Sequence, residues 1–92
     1  MAVIKSIKGE VTFIFDAKPD AKQVYVAGDF NHWDPTDKKL AKAKDGSFRV
    51  KLSLSPGQHQ YKFVADGTWV EDSSSKHKVH DPFGGINSVV EV

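Results

Sequence analysis

Tyr61-Lys62-Phe63-Val64-Ala65-Asp66-Gly67-Thr68-Trp69 is the stretch whose reading decides the fold. Tyr61, Phe63 and Ala65 alternate with Lys62 and Val64, the period of two that a half-buried strand requires. If Tyr61 and Phe63 are buried, Lys62 must face outward, on the same side as Gln60 and Val64. Asp66-Gly67 then separates two short apolar runs. A two-residue turn of the mirror type needs two positive φ values, which Asp-Gly tolerates. The segment predicts a β-hairpin that holds Trp69 close to the strand carrying Lys62.

The same alternation recurs on both sides of this hairpin. Val11, Phe13 and Phe15 form one set, Val24 and Val26 another, and Phe48, Val50, Leu52 and Leu54 a third. In the third set the intervening Arg49, Lys51 and Ser53 are polar, the pattern of an antiparallel sheet with one dry and one wet face. Lys18-Pro19-Asp20, Lys44-Asp45-Gly46 and Ser55-Pro56-Gly57 supply turn chemistry between the runs. Glu71 to Asp81 is polar and reads as a loop or weak edge strand before a terminal strand, Ser88–Val92. About seven short strands at this spacing predict an all-β, immunoglobulin-like antiparallel β-sandwich without the cysteine pair of antibody domains. Residues 11–92 are read as the domain, and residues 1–10 as an N-terminal extension or a first edge strand.

Composition narrows the function classes. Ninety-two residues, 39% of them apolar, suffice for one two-layer core and not for a catalytic domain with a separate deep cleft. Thirteen basic against twelve acidic side chains give a formal charge of +1, so the attraction toward polyanions that drives nonspecific nucleic-acid or membrane binding has no global source. The basic run Lys38-Lys39-Leu40-Ala41-Lys42-Ala43-Lys44 reads as a solvated edge. No cysteine is present, which fits a reducing cytoplasm. No signal-like or membrane-spanning apolar run is found, so the expectation is a soluble, unprocessed cytoplasmic chain.

Both tryptophans follow glycine-containing turns, Trp33 in Gly28-Asp29-Phe30-Asn31-His32-Trp33 and Trp69 in Asp66-Gly67-Thr68-Trp69. Both read as displayed. An indole offered to solvent from a rigid sheet suits a flat apolar ligand surface, such as the C–H face of a sugar ring. Phe30, three residues before Trp33, is the better core anchor of its turn.

The residues Val24-Tyr25-Val26-Ala27-Gly28-Asp29-Phe30-Asn31-His32-Trp33, Gly57-Gln58-His59-Gln60-Tyr61-Lys62-Phe63 and Asp66-Gly67-Thr68-Trp69, with a closing Gly84-Gly85-Ile86-Asn87, resemble carbohydrate-binding module family 48. That family includes the glycogen-binding domain of the AMP-activated protein kinase beta subunit and the early-set domains of isoamylases and branching enzymes. The resemblance implies an early-set sandwich that binds α-1,4-linked glucan (glycogen, starch, maltooligosaccharide) without a cofactor. It implies that Trp33, Lys62, Trp69 and Asn87 line the sugar site, with Phe83 where kinase-type domains project a leucine through the sugar ring. Gly85 stands where those domains have a threonine, and no glycine can replace a hydroxyl. Sugar affinity and ring-curvature preference are therefore expected to differ from theirs.

Chemically, Trp33 and Trp69 would cover the apolar face of glucose. Lys62 brings three donors, and Asn87 a donor pair and an acceptor, to the hydroxyls at its rim. The ordinary alternatives are a core role for either tryptophan, a solvated Lys62, an Asn87 bonded to its own loop, and a Phe83 that plugs the loop onto the sheet. A glycosidase needs two carboxyl groups at a set separation in a cleft. The aspartates here sit mostly in turns, where they bond local backbone, so no catalytic residue is assigned. A family 13 glycoside hydrolase label could attach through the early-set domain alone. His77 and His80 have no companion ligand pair, and no metal is assigned. The alternative reading is a protein-interaction or structural accessory domain of a glycogen-processing enzyme or kinase complex, its aromatic surface docking a catalytic domain or kinase-like partner.

Overall fold

The computed structural model describes residues 2–5, 9–72, 75–81 and 85–92. Among them run nine strands: β1 (Ala2–Lys5), β2 (Glu10–Phe15), β3 (Val24–Gly28), β4 (Lys38–Lys42), β5 (Phe48–Ser53), β6 (Gln58–Ala65), β7 (Thr68–Val70), β8 (Lys78–His80) and β9 (Ile86–Glu91), with a 3-10 turn at Asp29–Asn31. All pairings are antiparallel. The order is β1-β2-β5-β4-β3-β6-β9-β8, and β7 folds back onto β6. The chain is an all-β, immunoglobulin-like antiparallel β-sandwich.

The alternating residues place the core where period two put it. Val11, Phe13, Phe15 and Phe48 from one layer meet Val24, Val26, Tyr61, Phe63, Ala65 and Val90 from the other, all buried. Phe13 meets Tyr61 edge-on at 5.0 Å between ring centroids, and Phe15 meets Phe63 at 5.1 Å. Such tilted aromatic contacts each add about 0.5–1.5 kcal/mol beyond burial. Phe30 packs against this cluster, 5.8 Å from Phe13, as an apolar anchor of its turn should.

The seven or so expected strands become nine through strands of three to five residues, too short to show a period. The lysine-rich run is the instructive case, because it is not an edge. As β4 it pairs with β3 at Lys38–Leu40 and with β5 at Ala41–Lys42, so it passes from one layer to the other. Leu40 alone goes into the core, while Lys39, Lys42 and Lys44 stay exposed. The polar segment before the last strand does form an edge strand, β8, and β1 forms the opposite edge.

Candidate functional site

Register assigns the face of each side chain, since directly opposed residues in an antiparallel pair point the same way. On β6, Tyr61, Phe63 and Ala65 point into the core, so Gln60, Lys62 and Val64 point outward. Val64 stands opposite Tyr25 on β3 and opposite Trp69 on β7, and Lys62 stands opposite Ala27. The β7 pairing ends at Phe63 and the β9 pairing begins at Tyr61, opposite Ser88. Asn87, one residue before Ser88, therefore reaches the level of Lys62. The outer face carries Tyr25, Val64 and Trp69 in one row and Ala27, Lys62 and Asn87 in the next.

Trp69 is 46% exposed, while Val64 beside it is only 4% exposed. The mirror-type hairpin that holds Trp69 has φ of 49° at Asp66 and 83° at Gly67. It is clamped from outside: the Asp66 carboxylate accepts the Lys22 and Gln23 amides at 3.0 and 2.9 Å. A turn aspartate here ties two distant loops together.

Trp33 is half-buried and lies outside the aromatic cluster of the core. After the 3-10 turn, His32 and Trp33 both take left-handed φ near 58°, and the Trp33 amide donates to the Gly28 carbonyl at 2.9 Å. That bond closes the turn in the manner of a helix C-cap. The buried Asn31 holds the loop from within: its Oδ1 accepts the Gly28 amide at 3.0 Å, and its Nδ2 donates to the Val26 and Asp34 carbonyls. Asp34 then accepts the amide and hydroxyl of Thr36, both at 2.9 Å, and these bonds hold its carboxyl below the usual carboxylate range. Asp29 accepts the Gln60 amide at 2.9 Å and pairs with His59 Nδ1 at 3.1 Å, while His59 Nε2 lies 2.8 Å from the Ser55 carbonyl. The motif around Trp33 thus carries a loop scaffold: Asp29 and Asp34 accept backbone amides, as turn aspartates are expected to, and Asn31, to which the sequence reading gave no role, holds the loop from within.

Of the other expected site residues, Lys62 is 18% exposed and pairs with Asp81, 16% exposed, at 3.4 Å. Asn87 is 6% exposed and donates to Gln60 Oε1 at 3.0 Å, so it is a strand-to-strand brace at the margin of the face. Phe83 lies outside the described residues. The structure therefore brings Lys62, Trp69 and Asn87 onto one face and sets Trp33 on the loop leaving β3. Gln60, Tyr25 and Asp81 join that neighbourhood; Tyr25 was signalled by its alternation with Val24 and Val26, and Asp81 by nothing local.

Beneath the face, Tyr61 donates to the fully buried Asp72 at 2.6 Å. The Asp72 amide in turn donates to the Ser88 hydroxyl at 3.1 Å. Burial, and then the bond to the Asp72 carboxylate, hold the Tyr61 phenol well above its ordinary value. This network ties β6 to β9 through the segment that follows β7.

The fold is that of a small early-set module, an immunoglobulin-like sandwich with an aromatic and a lysine on the outer face of one sheet. The family model described as the glycogen recognition site of AMP-activated protein kinase matches residues 10–92. The pig AMP-activated protein kinase subunit beta-1 is 38% identical over 72 residues, covering 77% of this chain and 55% of the relative. The human subunit beta-2 is 41% identical over 71 residues, covering 77% of this chain and 25% of the relative. The chain belongs to this family of glycogen recognition domains, and it spans between about a quarter and about half of the length of these relatives.

Proposed function

We propose that this chain binds α-1,4-linked glucan without transforming it, through the outer face that carries Trp69, Lys62 and Asn87, flanked by Trp33. Phe83 is proposed to extend the apolar contact. The observation that carries the reading is Trp69: an indole 46% exposed on a rigid two-residue hairpin, in the row next to Lys62 on the same face. The indole covers the C–H face of a glucose unit, and the Lys62 ammonium donates to a hydroxyl at the rim. Glycogen, starch and maltooligosaccharides share the linkage and are the proposed ligands. A shallow platform must also offset the ordering of the sugar, so affinity is micromolar or weaker and rises with chain length.

The carboxylates support the non-catalytic part of the reading. Asp29, Asp34, Asp45 and Asp66 brace turns and loops, and Asp72 is buried against Tyr61, as turn aspartates do in structural roles. Family 13 kinship would extend only to an early-set domain and bring no active site.

Titration calorimetry with maltoheptaose and with a cello-oligosaccharide of equal length is the test, alongside glycogen co-sedimentation. Heat is expected with the α-glucan only. Trp69→Ala is expected to weaken binding about ten-fold or more, within the cost of losing one stacked ring, at unchanged melting temperature, and Trp33→Ala to weaken it less. Equal heats for both sugars, or undiminished sedimentation of Trp69→Ala, would refute the proposal. Because the relatives are named as kinase subunits, docking to a kinase-like partner is the second reading. It predicts that the tryptophan variants lose a protein partner and keep the glucan.

A further inference from the structure

Resting on that reading, we infer that Tyr25 and Lys39 form a second sugar subsite, one that selects glucan chains long enough to run from Trp69 across the sheet to β4. Register lays out the row. Trp69 on β7 stands opposite Val64 on β6, Val64 opposite Tyr25 on β3, and Tyr25 opposite Lys39 on β4. Directly opposed residues of an antiparallel pair point to the same side, so all four share the outer face, with Lys62 in the next row. Neighbouring strands lie about 4.8 Å apart, which puts Tyr25 roughly 10 Å and Lys39 roughly 14 Å from Trp69 at the level of the backbone. A single glucose ring stacked on Trp69 does not span that distance. Further units of the same chain do.

Val64 is the observation that carries the inference. It faces outward and is nevertheless only 4% exposed, so the side chains beside it, with Tyr25 and Trp69 directly opposed, cover it and make one apolar strip across β3, β6 and β7. Tyr25 is half-buried and Lys39 exposed: the ring is held against the sheet and the lysine stands at its rim. The other lysines of β4 are engaged. Lys38, opposite the core residue Val26, pairs with Asp37 at 3.7 Å, and Lys42 donates to the Pro19 carbonyl at 3.1 Å. Among the described residues no hydrogen bond or ion pair engages the Tyr25 hydroxyl or the Lys39 ammonium. The phenol therefore offers a donor and an acceptor and the ammonium three donors, beside a ring that can meet the C–H groups of a sugar. This is the same pairing of aromatic and lysine that Trp69 and Lys62 make, repeated two strands away.

Chain length is the readout that separates a second subsite from a structural role. Amide chemical-shift titrations of the 92-residue chain with maltotriose and with maltoheptaose test it, with melting curves as the control for folding. The variants are Lys39→Ala, Tyr25→Ala, Tyr25→Phe and Trp69→Ala. In the wild type, maltoheptaose is expected to shift the amides of β3 and β4 around Tyr25 and Lys39, and maltotriose only those around Trp69 and Lys62. Lys39→Ala and Tyr25→Ala are each expected to weaken maltoheptaose about three- to ten-fold and to leave maltotriose unchanged, with Tyr25→Phe between wild type and Tyr25→Ala. Trp69→Ala is expected to weaken both sugars. Equal losses for the two sugars in Tyr25→Ala would show that Tyr25 only props Trp69, and undiminished maltoheptaose binding in Lys39→Ala and Tyr25→Ala would show that the chain does not reach β4; either result overturns the subsite while the glucan reading stands. A wild-type chain in which neither sugar moves any signal would instead sink the glucan reading, and the subsite with it.

Discussion

Tyr61 carries two duties on one ring, packing against Phe13 and Phe63 and donating to Asp72. Its phenol value is raised in the fold by burial first and by Asp72 second. The unfolded phenol ionises near pH 10, so the contribution of this residue is fully present below about pH 10 and is lost as pH rises toward the folded value. Tyr61→Phe is expected to cost about 1–2 kcal/mol at neutral pH and to flatten the alkaline fall in stability, as read by urea denaturation between pH 7 and pH 11. Parallel alkaline limbs for the two proteins would contradict the assignment. Gly28 is constrained by space: a Cβ there would collide with the Gln60 carbonyl and the Phe30 ring. Gly28→Ala is therefore expected to destabilise the fold by about 2 kcal/mol or more, measurable as a lower denaturation midpoint at unchanged slope.

At the scale of elements, the two tryptophans are held by different devices. Trp69 depends on the positive φ values of Asp66 and Gly67. Gly67→Ala, which adds a Cβ to a left-handed residue, is expected to cost about 1–2 kcal/mol, seen as a fall in melting temperature. Trp33 depends on Asn31, whose amide serves Gly28, Val26 and Asp34 together. Asn31→Ala would leave the buried Gly28 amide without that acceptor, at a cost of about 1–3 kcal/mol. In a Trp69→Phe background it should also shift Trp33 fluorescence to the red and weaken maltoheptaose binding. Unchanged fluorescence would show that the loop holds Trp33 without Asn31.

For the whole molecule, the sandwich separates support from display. β1 caps the edge of the layer built on β2 and β5, whereas the proposed site lies on the outer face of the layer built on β3, β6 and β9. Removing residues 1–8 takes away β1, which pairs with β2 and stands at the far end of the strand order from β6 and β9. The truncated chain is expected to melt several degrees lower and to give the same maltoheptaose titration. A proportionate loss of affinity would mean that the layers are coupled through the core. Among the described residues no helix is long and apolar enough to cross a membrane.

Much of this was written locally. Period-two runs fixed which residues of β2, β3, β5 and β6 enter the core, because a strand turns successive side chains to opposite faces regardless of its neighbours. The same rule put Lys62 outward, and Asp-Gly fixed the hairpin under Trp69. Tertiary structure alone decided that the lysine-rich run crosses between layers, since its pairing depends on partners on both sides and only Leu40 carries an apolar signal. It alone joined Lys62 to Asp81 and Asn87 to Gln60, which lie 19 and 27 residues apart. Such pairs arise from the register in which separate strands meet, and register belongs to the assembled sheet rather than to any one strand.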